Sequence, residues 1–301
     1  MFWIRFFSLF PLSFLYWVAD YLIYPLARYI VRYRLKLVRK NIQRSFPEKS
    51  PQERETIVNA FYHHLSDLLV EIAYAYRISD EEMLQRVEFE NFDLVEDLSH
   101  KTKGTIIYLG HMCNWEWMAD IGHRFKDSST LALCVYRKLS NPRSDKDMNT
   151  IRTRRGGICV EKHQLLRKLV ALRNEPNSFI VALLADQKPT PNNAKVWTTF
   201  LNQETAFLDG GETLAHKFGY SAVFARITCP KRGHYHVRFE LVTEDPASIS
   251  EQQITLKYVQ LLEQNIKQQP SIRIKSQYMF KDCQMSRAAD RQKLGNSLNQ
   301  P

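Results

Sequence analysis

The sequence predicts an α/β fold, a single domain in which helices flank a mixed, mostly parallel sheet. From Glu88 onward, short apolar segments typical of strands alternate with amphipathic segments typical of helices. One predicted strand, residues 179–185, is a continuous apolar run (FIVALLA), as expected for a strand that helices cover on both faces. The chain has 301 residues, of which 44% are apolar, so it can bury a core of domain size.

The first forty residues differ in character from the rest of the chain. Residues 6–23 form an apolar run, FFSLFPLSFLYWVADYLI, whose charged residue is Asp20 and whose proline is Pro11. Basic residues follow at positions 28, 32, 34, 36, 39 and 40. We expect residues 1–40 to form a membrane anchor with its basic flank on the cytoplasmic face, either monotopic or singly spanning. The alternative is a hydrophobic helix that packs on the core of the domain.

A long helix is predicted over residues 52–76, where apolar residues recur at helical spacing after a proline-containing break. Its polar residues His63, Asp67 and Glu71 recur every four positions and therefore share one face. This spacing alone would also suit metal ligands. Because no H-E-x-x-H pattern accompanies it, we expect a polar face or buried hydrogen bonds, and no metal site.

The other elements of the main domain, residues 41–280, follow in order. The predicted strands are residues 105–109, 130–136, 179–185, 221–228 and 235–242. The predicted helices are residues 115–125, 143–154, 162–173, 211–218 and 251–268. Beyond Lys281 the sequence turns polar, so we expect residues 281–301 to form a loose tail.

The stretch TIIYLGHMCNWEW, residues 105–117, contains the best candidate for catalysis. His111 follows the end of a buried strand, and Asn114 is a suitable N-cap for a helix that begins at Trp115. This arrangement puts His111 in the turn and Glu116 in the first helical turn, where the carboxylate can orient the imidazole and stabilise its protonated form. The alternative is that Glu116 is a solvated acid that favours the helix dipole.

Polar residues follow two other predicted strands. Arg137 ends the second strand, and Asp186 with Gln187 ends the third. Since the carboxyl ends of parallel strands meet at one edge of a sheet, we expect these residues near His111. Three arginines, at positions 152, 154 and 155, form a positive cluster that suits a phosphate or an acidic carrier protein, although such runs are usually solvated.

The net charge of +10 favours an acidic partner, which can be anionic lipid, nucleic acid or an acidic protein. No RNA-binding signature or zinc-ligand spacing accompanies the basic residues, so we expect no nucleic acid partner. The five cysteines are scattered and form no C-x-x-C pair, which is typical of reduced thiols in a cytosolic compartment.

Several blocks resemble one known family. Residues 110–116, GHMCNWE, are similar to the H-x-G-N-W-E block of the lipid A biosynthesis late acyltransferases, the lauroyl and myristoyl transferases. Residues 41–48 resemble the N-terminal block of that family, and Tyr136-Arg137 and residues 154–156 resemble its central blocks. Residues 186–227 are similar to the form found in Bacteroidetes-type members.

The resemblance implies an inner-membrane enzyme of glycerolipid-acyltransferase-like fold, with its catalytic domain on the cytoplasmic face. Such an enzyme moves a fatty acyl chain from acyl carrier protein to a hydroxyl of a lipid A precursor, without a metal or other cofactor. Carried over, His111 is the general base and Glu116 its orienting partner. The substrate-binding residues are Arg137, Arg154, Asp186 and Gln187. An oxyanion would then be stabilised by Arg137 or by backbone N–H groups near Gly110 and His111.

Two departures from the family pattern keep alternatives open. Cys113 stands where a glycine is usual, and the Trp-rich basic block of the family is missing after Pro270. The acceptor can therefore be a lysophospholipid or an aminolipid, or the chain can be a lipid- or carrier-binding protein without catalysis. A further alternative is a Cys–His acyl-enzyme or thioesterase built on Cys113 and His111.

Overall fold

A seven-stranded sheet forms the centre of the protein. The computed structural model describes residues 2–126 and 129–272. The strands within these residues are β1 (Val87–Glu90), β2 (Gly104–Leu109), β3 (Thr130–Tyr136), β4 (Gly157–Glu161), β5 (Ser178–Leu184), β6 (Val196–Phe200), β7 (Gln203–Phe207), β8 (Ser221–Lys231) and β9 (His234–Thr243). The large sheet has the order β1-β9-β8-β2-β5-β3-β4, in which β8 and β9 pair antiparallel and the other neighbours pair parallel. The predicted mixed, mostly parallel sheet is confirmed.

Helices flank this sheet, and β6 and β7 form a separate antiparallel hairpin. The α-helices of the described residues are α1 (Phe2–Phe7), α2 (Leu12–Val18), α3 (Leu35–Ser45), α4 (Pro51–Tyr74), α5 (Asp80–Arg86), α6 (Phe92–Lys101), α7 (Pro142–Thr153), α8 (Leu165–Leu172), α9 (Gly210–Phe218) and α10 (Gln253–Gln268). The predicted helix at residues 115–125 is a 3₁₀ helix, Trp115–His123. The predicted tail, residues 281–301, lies outside the described residues.

Strand β2 is the middle of the sheet and is buried along its whole length, between β5 and β8. Leu109 at its end lies opposite Leu184 of β5. Cys134, near the end of β3, lies opposite Ala182 of β5. Because these three strands run parallel, the loops that follow them emerge side by side at one edge.

The N-terminal segment is divided into short helical pieces, whereas we expected one hydrophobic anchor helix. Pro11 is extended (φ −64°, ψ 148°) and separates α1 from α2, since proline has no N–H to continue the helical hydrogen bonds. Beyond α2 the chain continues in two short π-helical segments, Ala19–Ile23 and Leu26–Ile30. None of the described helices is long and apolar enough to cross a membrane.

One side of this segment packs on the domain, in agreement with the alternative of a docked hydrophobic helix. Leu12, Leu15 and Ala19 are buried in the main core. The other side carries large apolar side chains that remain exposed. Those that are more than half exposed are Leu9, Trp17, Tyr21, Leu22, Tyr29, Ile30 and Val31.

Helix α4 begins with a capping box, in which the Ser50 hydroxyl accepts from Glu53 N–H and the Glu53 carboxylate accepts from Ser50 N–H. On its inner face, Asp67 and Glu71 are buried and hydrogen-bonded. The predicted buried hydrogen bonds are confirmed for these two residues. The described residues contain no cluster of three or more side chains that could hold a metal ion.

Candidate functional site

The loop after β2 carries the candidate base on a strained turn. His111 is only 2% exposed. Two residues later, Cys113 has a φ of 49°, in the left-handed region that favours glycine. The glycine of the family pattern at this position therefore corresponds to a backbone requirement, which Cys113 meets with its side chain fully buried. Burial raises the pKa of the Cys113 thiol well above its usual value, so a thiolate nucleophile is disfavoured at this position.

A carboxylate from the neighbouring strand holds the imidazole of His111. Asp186, two residues beyond the end of β5, lies with Oδ1 2.5 Å from His111 Nδ1. Its Oδ2 accepts a hydrogen bond from the backbone N–H of His111 at 3.0 Å. Because an ionised carboxylate can only accept, this arrangement keeps the ring proton on Nδ1 and leaves Nε2 as the basic nitrogen.

We expected Glu116 beside His111, but the structure places Asp186 there. Glu116 forms a bidentate ion pair with Arg152 of α7, at 2.8 and 2.7 Å. It also accepts a hydrogen bond from the indole of Trp115 at 3.2 Å. The Trp115 ring lies edge-on to the His111 ring, with 4.9 Å between centroids. Glu116 therefore supports the wall beside His111 and does not pair with its imidazole in the structure.

The way in which the helix at Trp115 starts explains why Glu116 points away from His111. Asn114 occupies the N-cap position, as expected, but its side chain makes no capping hydrogen bond. Instead, the Asn114 amide donates to Glu71 of α4 at 2.9 Å. The helix then starts in 3₁₀ geometry, with three residues per turn, which changes the direction of the Glu116 side chain relative to an α-helical turn.

The three arginines of the predicted positive cluster separate in the structure. Arg152 faces Glu116, and although burial alone would lower its pKa, the hydrogen bonds with Glu116 raise it. Arg155 is 2% exposed and donates to the carbonyl of Ile78 at 2.7 Å. Arg154 donates to the carbonyl of Tyr76 at 2.7 Å and is not among the residues that line the cavity beside His111. The three arginines therefore do not form the single positive cluster that the sequence suggested.

A cavity of about 770 Å³ opens beside the His111–Asp186 pair. Arg137 and Gln187 line it, next to the two paired residues, at the sheet edge where the sequence predicted them. Among the lining residues that sequence reasoning missed are Trp115, Lys138, Met148 and Lys188. Lys138 and Lys188 directly follow predicted site residues, and this adjacency was the available signal.

A smaller, mostly apolar pocket of about 60 Å³ shares part of its lining with the cavity, namely Trp115, Glu116, Val135, Arg152 and Leu184. Its remaining walls are apolar side chains and a thiol from β2, β3, β5 and the 3₁₀ helix. They are Leu109, Met118, Ala119, Cys134 and Ala182. Burial raises the pKa of the Cys134 thiol to about 12, so this wall is neutral. The site thus combines a buried base, cations and an apolar recess.

Of the oxyanion donors that we expected, one is engaged elsewhere. The backbone N–H of His111 donates to Asp186. Arg137 lines the cavity and remains the candidate for a donor.

Comparisons with known proteins agree with the resemblance that the sequence motifs suggested. A family model described as bacterial lipid A biosynthesis acyltransferase matches residues 1–280. The chain is also similar to lipid A biosynthesis acyltransferase 2 of Shigella flexneri, with 28% identity over 155 residues. That match covers 50% of this chain and 46% of the relative, so the chain spans about half the length of the curated relative that it matches. Since the family model covers nearly the whole chain, the protein belongs to the bacterial lipid A biosynthesis acyltransferase family.

Proposed function

We propose that this protein moves a fatty acyl chain from an acyl carrier protein thioester to a hydroxyl of a lipid A precursor. The observation that carries the proposal is the buried pair of His111 and Asp186 at the cavity, with 2.5 Å between Nδ1 and Oδ1. This pair supplies a general base and a carboxylate that stabilises the imidazolium, which are the groups that activate a hydroxyl. Family membership supports the choice of reaction.

The proposed reaction needs no covalent acyl-enzyme. His111 Nε2 takes the proton of the acceptor hydroxyl while the oxygen attacks the thioester carbonyl, and Asp186 stabilises the resulting imidazolium. The carbonyl oxygen becomes an oxyanion, for which Arg137 is the proposed donor. The intermediate then expels the thiolate of the carrier, the C–S bond breaks, and the imidazolium returns its proton to the sulfur. An ester and a free thiol are the products.

The two recesses of the site suit the two ends of an acyl thioester. The apolar pocket behind Trp115 suits a short part of the hydrocarbon chain, since its walls are mostly aliphatic and its volume is about 60 Å³. Arg137, Lys138 and Lys188 at the larger cavity suit a phosphate, either on the thiol-bearing arm of the carrier or on the lipid acceptor. Their cationic side chains also favour approach of an acidic carrier protein.

We further propose that the protein works on the cytoplasmic face of the inner membrane, lying on the lipid surface. The N-terminal segment supports this arrangement because its outer side exposes Leu9 (59%), Trp17 (56%), Leu22 (60%) and Ile30 (73%). Exposed aromatic and aliphatic side chains of a helical segment, followed by a basic stretch, favour the interface of an anionic bilayer.

The proposed function is tested with the purified full-length chain, an acyl carrier protein thioester and vesicles that contain a lipid A precursor. We expect a product heavier by one acyl chain by mass spectrometry, and no such product from His111→Ala, which should still bind the vesicles. Acylation of a lysophospholipid or an aminolipid, with the lipid A precursor left unmodified, would replace the proposed acceptor. Vesicle and carrier binding without any acylated product would instead identify a binding protein.

A further inference from the structure

One face of helix α4 forms hydrogen bonds with the loop that carries His111. His64 and Glu71 are seven residues apart, which puts them on the same side of the helix, about 10 Å apart. His64 Nε2 lies 3.3 Å from the carbonyl oxygen of Cys113. The indole of Trp117 donates to the backbone carbonyl of Glu71 at 3.3 Å. With the bond from Asn114, α4 contacts the loop at three places within six residues of His111.

The Glu71 carboxylate has an unusual set of partners for a buried charge. It is 0% exposed and accepts hydrogen bonds from Tyr16 OH at 2.7 Å, Tyr235 OH at 2.6 Å and the amide of Asn114 at 2.9 Å. All three donors are neutral, and burial raises the pKa of Glu71 to about 7. A neutral side chain would fill this position at lower cost, because burying a carboxylate without a cation is unfavourable.

The partners of Glu71 belong to three separate parts of the protein. Asn114 is in the His111 loop, and Tyr235 is in β9. Tyr16 is in α2 of the N-terminal segment. The guanidinium of Arg232 lies over the Tyr16 ring, 4.2 Å from its centroid, and bridges Asp20 of the same segment to Asp67 of α4. The N-terminal segment is therefore fixed next to Glu71 by a second, charged contact.

We propose that Glu71 is a positioning residue that couples the seating of the N-terminal segment to the geometry of the His111 loop. The contact runs from Tyr16 through the Glu71 carboxylate to Asn114, three residues after His111. When the segment is seated, the carboxylate holds Asn114 with a charge-assisted hydrogen bond, and the loop keeps His111 on Asp186. This inference rests on the proposed acyl transfer, because its main readout is the rate of that reaction.

The test compares kcat, KM for the acyl donor and the midpoint of thermal unfolding for the full-length protein on vesicles. Glu71→Gln keeps the shape of the side chain but removes the charge that strengthens the bond to Asn114. We expect kcat to fall about tenfold or more, with KM changed by less than about threefold. The unfolding midpoint should stay the same or rise, because the buried charge is gone.

The control is a second buried carboxylate that does not contact the loop. Glu212 is 4% exposed and accepts from the backbone N–H groups of Ile254 and Thr255 at 3.2 Å, at the start of α10. We expect Glu212→Gln to lower the unfolding midpoint and to leave kcat of the folded protein unchanged. A merely structural role of Glu71 would instead make its variant follow the same pattern.

Tyr16→Phe tests the link to the N-terminal segment, and also serves if Glu71→Gln fails to fold. We expect a smaller fall in kcat than for Glu71→Gln. Tyr74→Phe, which removes from the end of α4 a hydroxyl that donates to Glu82 of α5, should leave kcat unchanged. If wild-type protein transfers acyl chains but Glu71→Gln and Tyr16→Phe keep kcat within about twofold of it, the inference is overturned. Absence of transfer by the wild type would overturn the proposed function instead.

Discussion

Replacement of Asp186 by asparagine removes the charge beside His111 and changes little in volume. In the wild type, both carboxylate oxygens accept, one from His111 Nδ1 and the other from the His111 backbone N–H. An amide has one accepting atom and one donating group. If its oxygen keeps the backbone N–H, its NH₂ faces Nδ1 and stabilises the tautomer that carries the proton on Nε2. That tautomer has no free base towards the acceptor hydroxyl.

The opposite orientation of the amide is also unfavourable. It sets the NH₂ group against the backbone N–H of His111, a donor–donor contact that costs about 1–3 kcal/mol in a buried site. Either orientation loses the negative charge that stabilises the imidazolium. We therefore expect kcat of Asp186→Asn to fall about 10²- to 10⁴-fold, which corresponds to about 3–5 kcal/mol in the activation free energy.

The assay is release of carrier thiol and formation of acylated lipid under saturating donor, with KM for the donor measured in parallel. KM should change little, because Asp186 acts on the base. Asp120→Asn is the matched control, since Asp120 is equally buried but pairs with Arg124, at 2.5 Å, and does not line the cavity. If kcat of Asp186→Asn stays within about threefold of the wild type, Asp186 does not orient the base and the mechanism is wrong.

Three further predictions concern stability and substrate choice. The pKa of Glu71 rises from 4.5 to about 7 on folding, so the folded state binds this proton more tightly than the unfolded state does. The free energy of unfolding should therefore fall by up to about 3 kcal/mol as pH rises from about 4.5 to above 7. Urea titrations at several pH values should give a smaller pH dependence for Glu71→Gln, and an equal dependence would contradict the assignment. In Gly122→Ala the added Cβ would lie 2.4 Å from the carbonyl oxygen of Arg155, so the protein should lose about 1–3 kcal/mol of stability. Gly210→Ala, which adds a Cβ with nothing within 4 Å, should melt close to the wild type, and similar melting of both variants would refute the packing argument. Ala182→Phe should fill the apolar pocket and lower kcat/KM for long acyl donors more than for short ones, whereas an unchanged chain-length preference would exclude this pocket as the acyl site.

The sequence predicted the centre of the fold well because each buried strand can be recognised from its own run of apolar residues. The run FIVALLA and the segment before Gly110 are apolar without alternation, and both are inner strands of the sheet. The strands that sequence reasoning missed are short, at the edges or outside the main sheet. β1 (Val87–Glu90) alternates with charged residues, and the hairpin of β6 and β7 turns through Leu201 and Asn202, both at positive φ without a glycine.

At the site, strand order determined what could be predicted. That His111, Arg137 and Asp186 meet at one edge follows from parallel strands, and the sequence was sufficient for it. The sequence did not show which carboxylate pairs with His111. Glu116 is close to it in sequence, whereas Asp186 is brought near it by the pairing of β2 with β5. The long-range bond from Asn114 to Glu71 turned the expected helix cap into a tertiary contact.

The N-terminal segment shows that the sequence also did not predict the partner of a charged residue. Hydropathy favoured an anchor helix, either monotopic or singly spanning, but Pro11 separates α1 from α2. Asp20 finds a partner in Arg232, far away in sequence, at 2.8 Å. A pattern of apolar residues cannot distinguish a segment that packs with one face on its own domain from one that inserts in lipid.

The most direct measurement of the central claim is the ratio of acylated lipid formed to carrier thiol released in a single turnover, for the wild type and for His111→Ala. The mechanism predicts one ester for each thiol in the wild type, without an acyl-enzyme in the quenched reaction. It also predicts loss of both products in the variant while the protein stays folded and bound to vesicles. Ester formation by His111→Ala at the wild-type rate would contradict His111 as the base, and thiol release without ester in the wild type would contradict acyl transfer.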